Sequence, residues 1–123
     1  MLQAQYKDLL QHPDIRFDVP ENGGYIEVKD AATHDTLAWV KSHDRASVEQ
    51  VIARSQKAQT AWKAQTALQR ADVLWAWFDL MQENKESLAQ ILTAEQGKPL
   101  AEARGEIGYA CLLYTSDAAD EGL

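Results

Sequence analysis

The chain has 123 residues, of which 46% are hydrophobic and 25% charged, with a formal net charge of −7. That balance suits one small globular domain, and the acidity argues against a nucleic-acid binder or a lipid-surface binder, both of which need a basic face. No apolar run reaches the roughly 18 residues of a membrane span, and one cysteine, Cys111, excludes an internal disulfide or a multi-cysteine metal site.

The N-terminal stretch Met1 to Asp8 lacks the charged-then-apolar pattern of a signal peptide, so the expected location is the cytoplasm. Residues 1–24 carry little periodicity and read as an extension. Leu9-Leu10 closes a short helix, and His12-Pro13-Asp14 breaks it, because proline disfavours helical geometry in the residue before it. Asn22-Gly23-Gly24 is a turn or flexible link. Tyr25 to Lys29 and Thr36 to Val40 alternate and are rich in β-formers, and the polar stretch Asp30 to Asp35 lies between them. Two such runs with a short link predict a β-hairpin, which is marginal in water unless it packs on something.

Helices follow. Val48, Val51, Ile52, Ser55, Ala58 and Trp62 recur at spacings of three and four, one face of an amphipathic helix. Ser47 with Gln50 is a candidate capping box, and Asp44 is an alternative N-cap. After a break at Ala64 to Thr66, a second helix starts with Thr66 and Gln69 as its capping box and ends near Asn84. Its apolar face is Leu68, Ala71, Leu74, Trp75, Phe78 and Met81; Trp77 falls outside that stripe, so more than one side is expected to be covered. A third helix runs from about Lys85 to Gln96 with Leu88, Ile91 and Leu92 on one side and Glu95 at its margin. Gly97 stops it and Pro99, placed as the first helical residue, opens a fourth over Leu100 to about Ala110, with Ala103, Ile107 and Ala110 inward. The predicted class is mostly α with an N-terminal β-hairpin. The order is not a βαβ alternation, so no parallel sheet is encoded.

The residues that could carry chemistry have stronger structural readings. Gly97-Lys98-Pro99 lacks the glycines and the Ser/Thr of a phosphate-binding loop, and a helix stop explains it better. Glu95, Glu102 and Glu106 read as a solvated helix face, and Arg104 does not share the face of either later glutamate. His12, His34 and His43 have no second ligand at metal spacing. Trp62, Trp75, Trp77 and Phe78 read as core rather than a base-stacking platform. Cys111 has no histidine or lysine after it to lower its pKa, which a nucleophile requires. No catalytic, cofactor-binding or metal residue is therefore assigned.

Three stretches resemble one family. Val28 to Val40 is similar to the early hairpin of aldehyde dehydrogenases, departing at Asp30-Ala31, where Asn-Pro is usual, and at His34, where glycine is usual. Ser47 to Trp62, followed by Arg70-Ala71-Asp72-Val73-Leu74, fits the next two helices of that family. Trp77 to Asn84, Thr93 to Ala103 and Gly105-Glu106-Ile107-Gly108-Tyr109-Ala110 are similar to NAD(P)-dependent succinate-semialdehyde and glutarate-semialdehyde dehydrogenases. The resemblance covers residues 25–110.

It implies an N-terminal piece of an α/β enzyme several times longer, cytoplasmic and homo-oligomeric, with a small aldehyde as substrate and NAD or NADP as cofactor. The family's cysteine, glutamate base, oxyanion asparagine and cofactor residues would all follow this segment, so the segment itself is expected to bind no cofactor, to be inactive, and to expose apolar faces on the helices carrying Trp75 and Trp77, whose partner layer is missing. A monovalent cation seen in some relatives would fall between the hairpin backbone at Lys29 and the acidic residue Glu95. Residues 111–121 depart from the family and resemble a translated sequencing-library adapter, which makes 111–123 an expected non-native tail. Recovering those codons from genomic DNA, followed by a native stop, would overturn that reading. The rival to the enzyme-segment reading is a free-standing helical interaction module, distinguished by whether the gene continues into the family's cysteine and glutamate.

Overall fold

The computed structural model describes residues 4–121. Its elements in chain order are α1 (Ala4–Leu9), β1 (Ile15–Arg16), β2 (Tyr25–Lys29), β3 (Thr36–Lys41), α2 (Arg45–Lys63), α3 (Ala67–Glu83), α4 (Lys85–Gln96) and α5 (Leu100–Glu121). They form two compact units, Met1–Ser42 with Glu86–Glu106, and His43–Lys85 with Ile107–Leu123.

In the first unit the expected hairpin is present, with β2 antiparallel to β3 and Ile26 opposite Val40, Glu27 opposite Trp39 and Val28 opposite Ala38. Two features depart from a plain alternating hairpin. The register slips between Val28 and Lys29, so that Lys29 faces Thr36 and Leu37 is the extra residue on β3. Such a bulge re-aims side chains, and neighbours Leu37 and Ala38 are accordingly both buried, at 7% and 6% exposure. A third strand is also present. β1 pairs antiparallel with β3, Ile15 opposite Val40 and Arg16 opposite Trp39, giving the order β1-β3-β2. Ile15 and Arg16, inside the stretch read as an extension, are thus part of the sheet. Two residues are too few to show periodicity. Backbone bonds from the Ile15 amide to the His12 carbonyl (3.0 Å) and from the Lys41 amide to the Asp14 carbonyl (2.8 Å) hold the strand in place, and it covers an edge that would otherwise stay open.

The hairpin packs on helices, as its marginal stability requires. Tyr6 and Leu37 form the buried centre, with Leu10, Val28, Ile91 and Ala94 packed around them. The Tyr6 hydroxyl donates to Oε1 of Gln90, so the polar tip of a buried tyrosine is satisfied. On α4 the expected inward residues Leu88, Ile91 and Leu92 are half-buried, and Ala89 is fully buried. Ala103 on α5 is fully buried, as expected.

Arg104 finds its partner on another helix. Its Nε and Nη2 donate to the two carboxylate oxygens of Glu86 at 2.8 and 2.7 Å, a bidentate pair. That hydrogen bonding, aided by Gln90, lowers the Glu86 pKa from 4.5 to about 2. A carboxylate whose folded pKa is depressed adds stability above its unfolded pKa and loses it as pH falls through the folded value. The contribution should fade between about pH 4.5 and 2, modestly, because the pair is solvent-exposed. Urea midpoints measured across that window should fall less steeply for Glu86→Gln than for the parent chain. Parallel curves would show that the pair adds nothing.

In the second unit the caps follow the local rules. Asp44 is the N-cap of α2, its side chain accepting from the Ser47 amide at 2.8 Å; of the two candidates, the aspartate rather than the Ser47–Gln50 box fills the role. Hydrogen bonds from the Ser47 side chain and amide hold the Asp44 carboxyl below its ordinary range. At α3 the predicted capping box is complete, the Gln69 amide donating to Thr66 Oγ1 (3.2 Å) and the Thr66 amide to Gln69 Oε1 (3.0 Å).

On α3 Ala71 is buried, with Leu74, Phe78 and Met81 half-buried. Phe78 meets Trp75 edge-on, ring centroids 5.5 Å apart. The tryptophans do not form a core within the segment, and the exposed apolar face expected on the helix that carries Trp75 and Trp77 is present. Trp62, Trp75 and Trp77 are 36%, 43% and 47% exposed, and α2 has no buried residue. The helical spacing of apolar residues gives each helix a face, but spacing alone does not bury it, and these tryptophans stand half-exposed. The last helix also runs past its expected end near Ala110, to Glu121. No glycine or proline lies between Ala110 and Glu121, so no local signal stops it.

Candidate functional site

The segment Glu95-Gln96-Gly97-Lys98-Pro99 connects α4 to α5. Gly97 adopts φ 74°, and its amide donates to the Thr93 carbonyl at 2.8 Å, the left-handed closure predicted for it. Pro99 stands one place earlier than expected. Its carbonyl accepts from the Glu102 and Ala103 amides at 2.9 and 3.1 Å, and Leu100 is the first helical residue. The loop is a helix stop and restart.

The hairpin turn docks here. The Ala31 amide donates to the Ala94 carbonyl at 3.0 Å. A Cβ at Gly97 would lie 2.9 Å from the Ala31 Cβ. Gly97 therefore answers two demands, and only the first, the left-handed φ, is visible in the sequence.

The turn that docks is built from the residues that depart from the family pattern. Asp30 Oδ1 accepts from the Ala32 and Thr33 amides at 2.9 and 3.0 Å, an Asx turn. Those two amides, Thr33 first, hold the Asp30 carboxyl below the usual range. The Asp30 amide donates to the Asp35 carbonyl (2.8 Å) and the His34 amide to the Asp30 carbonyl (2.9 Å). His34 takes φ 63°, a region where histidine is tolerated better than most side chains and glycine best.

The other candidates are not brought together. Lys98 pairs with Glu106 across the α4–α5 junction. Lys29 pairs with Glu27 at 3.3 Å. Glu95 lines a cavity of about 130 Å³ whose other walls include Leu10, Ile15, Val28, Leu37 and Ile91. No group of three or more His, Cys, Asp or Glu side chains fit to hold a metal occurs among the described residues. His12 Nδ1 accepts from the Asp14 amide at 3.2 Å, a local turn contact. Cys111 is fully buried and not in a disulfide. Among the described residues, no helix is long and apolar enough to cross a membrane. The pair that sequence reasoning missed, Glu86 with Arg104, is structural.

Comparison with known proteins identifies the source of this arrangement. The family model described as aldehyde dehydrogenase family matches residues 19–121. The glutarate-semialdehyde dehydrogenase of Pseudomonas aeruginosa is 48% identical over 90 residues, covering 73% of this chain and 19% of that protein. The NADP(+) succinate-semialdehyde dehydrogenase of Escherichia coli is 45% identical over 101 residues, covering 82% and 21%. The crystal structure of succinate-semialdehyde dehydrogenase from Burkholderia pseudomallei superposes with a TM-score of 0.69 at 47% identity, over 71% of this chain and 18% of that one. The chain thus spans about a fifth of the length of the relatives it matches.

Proposed function

The chain belongs to the aldehyde dehydrogenase family, and from that premise we propose that it is the N-terminal part of a longer enzyme that oxidises a small semialdehyde to its acid with NAD or NADP. Succinate semialdehyde is the substrate this reading proposes, with glutarate semialdehyde as its close relative. The observation that carries it is identity of 45–48% to enzymes named for those two aldehydes, one of them also named for NADP.

Within that enzyme this segment is scaffold. Residues 25–110 form the start of the catalytic fold. They hold no catalytic residue, no cofactor-binding residue and no metal site. The family resemblance implies thiolate attack on the aldehyde, hydride transfer to nicotinamide and hydrolysis of the thioester by a glutamate base. Cys111 does not supply that thiolate, because its side chain is buried and a nucleophile needs access and a base.

The test compares the purified 123-residue chain with the full-length gene product. Each is mixed with succinate semialdehyde and NAD or NADP, and reduced nicotinamide is followed by absorbance. The full-length enzyme should turn over, and the short chain should neither turn over nor bind either dinucleotide. Turnover by the short chain would refute the scaffold assignment. A full-length product inactive on every semialdehyde would refute the functional one.

A further inference from the structure

Asn22-Gly23-Gly24 closes the connection from β1 to β2. Glu21, Asn22, Gly23 and Gly24 are all exposed and belong to neither helix nor strand. None of the four offers an apolar side chain for another layer to bury, so the loop belongs at a surface. Among the described residues, no hydrogen bond holds the Asn22 side chain or the Gly23 amide. A Cβ built at Gly23 meets nothing within 4 Å, and Gly24 sits at φ 94°. The backbone after Asn22 is therefore both uncrowded and conformationally free.

An asparagine in that setting holds an electrophile next to a nucleophile. Its side-chain carbon Cγ can close a five-membered ring with the nitrogen of the following residue. A side chain on that residue hinders the approach, and Gly23 has none.

We propose that Asn22 is a self-modifying site, which converts in water to aspartate and isoaspartate through a succinimide. The Gly23 nitrogen gives up its proton and bonds to Asn22 Cγ. The bond from Cγ to Nδ2 breaks, and the side-chain nitrogen leaves with a proton as ammonia. One water then opens the ring. Cleavage at Cγ leaves aspartate, and cleavage at the Asn22 backbone carbonyl carbon leaves isoaspartate, in which the main chain runs through the former side chain. Nothing is oxidised or reduced. Either product adds a negative charge beside Glu21. Isoaspartate also lengthens the backbone by one carbon, two residues before the Gly24 carbonyl accepts from the Ser42 amide at 2.7 Å. The change therefore acts on the end of the sheet where Tyr25 faces Lys41.

Asn84 is an internal control. It caps α3, its Nδ2 donates to the Leu80 carbonyl at 2.8 Å, and the next residue, Lys85, begins α4. Its side-chain amide is engaged and the residue after it has a side chain, so it should stay intact.

Ageing the purified 123-residue chain in warm, mildly alkaline buffer tests this. Mass spectrometry of its peptides should show the one containing Asn22 gaining about one mass unit, with heavy oxygen incorporated when the water carries it, and the one containing Asn84 unchanged. The rate should lie within a few-fold of that in a free peptide of residues 19–28. Gly23→Ala should slow conversion on the order of tenfold, because a Cβ restricts the backbone. Asn22→Gln, which would need a larger ring, should nearly abolish it, and neither substitution should alter far-UV circular dichroism. Given a protein isoaspartate methyltransferase, the aged chain, unlike the fresh one, should accept methyl groups from S-adenosylmethionine on its isoaspartyl carboxylate oxygen. An Asn22 that survives while the free peptide converts overturns the proposal, because the folded loop then forbids the ring. Equal loss at Asn84, a rate indifferent to Gly23→Ala, or an aged chain that accepts no methyl group overturns it as well.

Discussion

Replacing Gly97 with alanine is expected to destabilise the first unit by about 2–5 kcal/mol, as two separate costs. The first is conformational. Gly97 sits at φ 74°, where a Cβ costs roughly 1–2 kcal/mol. The second is steric. The new Cβ would lie 2.9 Å from the Ala31 Cβ. A methyl group has no rotamer by which to move aside, and the Ala31 backbone is fixed to α4 by its 3.0 Å bond to the Ala94 carbonyl. Crowding of this kind costs on the order of 1–3 kcal/mol.

The two costs separate in a double-mutant cycle. Gly97→Ala combined with Ala31→Gly should recover the steric part and leave the conformational part. Urea unfolding by circular dichroism gives the totals, and amide exchange at Ala31 and Gly97 gives a local reading in this unit. If Ala31→Gly rescues nothing, the turn does not constrain Gly97, and the docking described for the Glu95–Pro99 segment is wrong.

Leu37→Ala is expected to cost about 2–4 kcal/mol, the range for deleting a buried leucine side chain. Leu37 is 7% exposed and shares the centre of its unit with Tyr6, against Leu10, Val28, Ile91 and Ala94. The bulge that turns Leu37 inward sits beside the cavity, so the truncated site enlarges an existing void. A loss of this size is a large fraction of the stability of a small domain. The control is Leu68→Ala. Leu68 is also a leucine in the apolar spacing of its helix, but it is 68% exposed and should change stability by less than about 0.5 kcal/mol. Equal losses from the two substitutions would mean that burial at Leu37 does not hold the unit together.

Leu37 and Leu68 also mark where reading the sequence succeeds and where it cannot. Both are apolar residues at the right spacing, and spacing assigns each to a face. It does not say whether the face has a partner. For the same reason Trp62, Trp75 and Trp77 read as core and stand half-exposed. The family resemblance in Glu95 to Ala103 was legible too.

The sequence by itself determined the elements closed by neighbours in the chain. Thr66 with Gln69, Asp44 with Ser47, and Gly97 with Thr93 each bond within three or four residues, so a short window contains both partners and the helix ends follow. The alternation of residues 25–29 and 36–40 likewise fixed a hairpin. Only the tertiary structure decided what depends on residues far apart: β1 on the edge of β3, the bulge that buries Leu37, the Glu86–Arg104 pair 18 residues apart, and the approach of Ala31 to Gly97. Those contacts form when loops close and surfaces meet, and each partner alone looks like an ordinary surface or turn residue. Gly97 belongs to both groups, as a helix stop set by its own backbone and a docking point set by a turn 66 residues earlier in the chain.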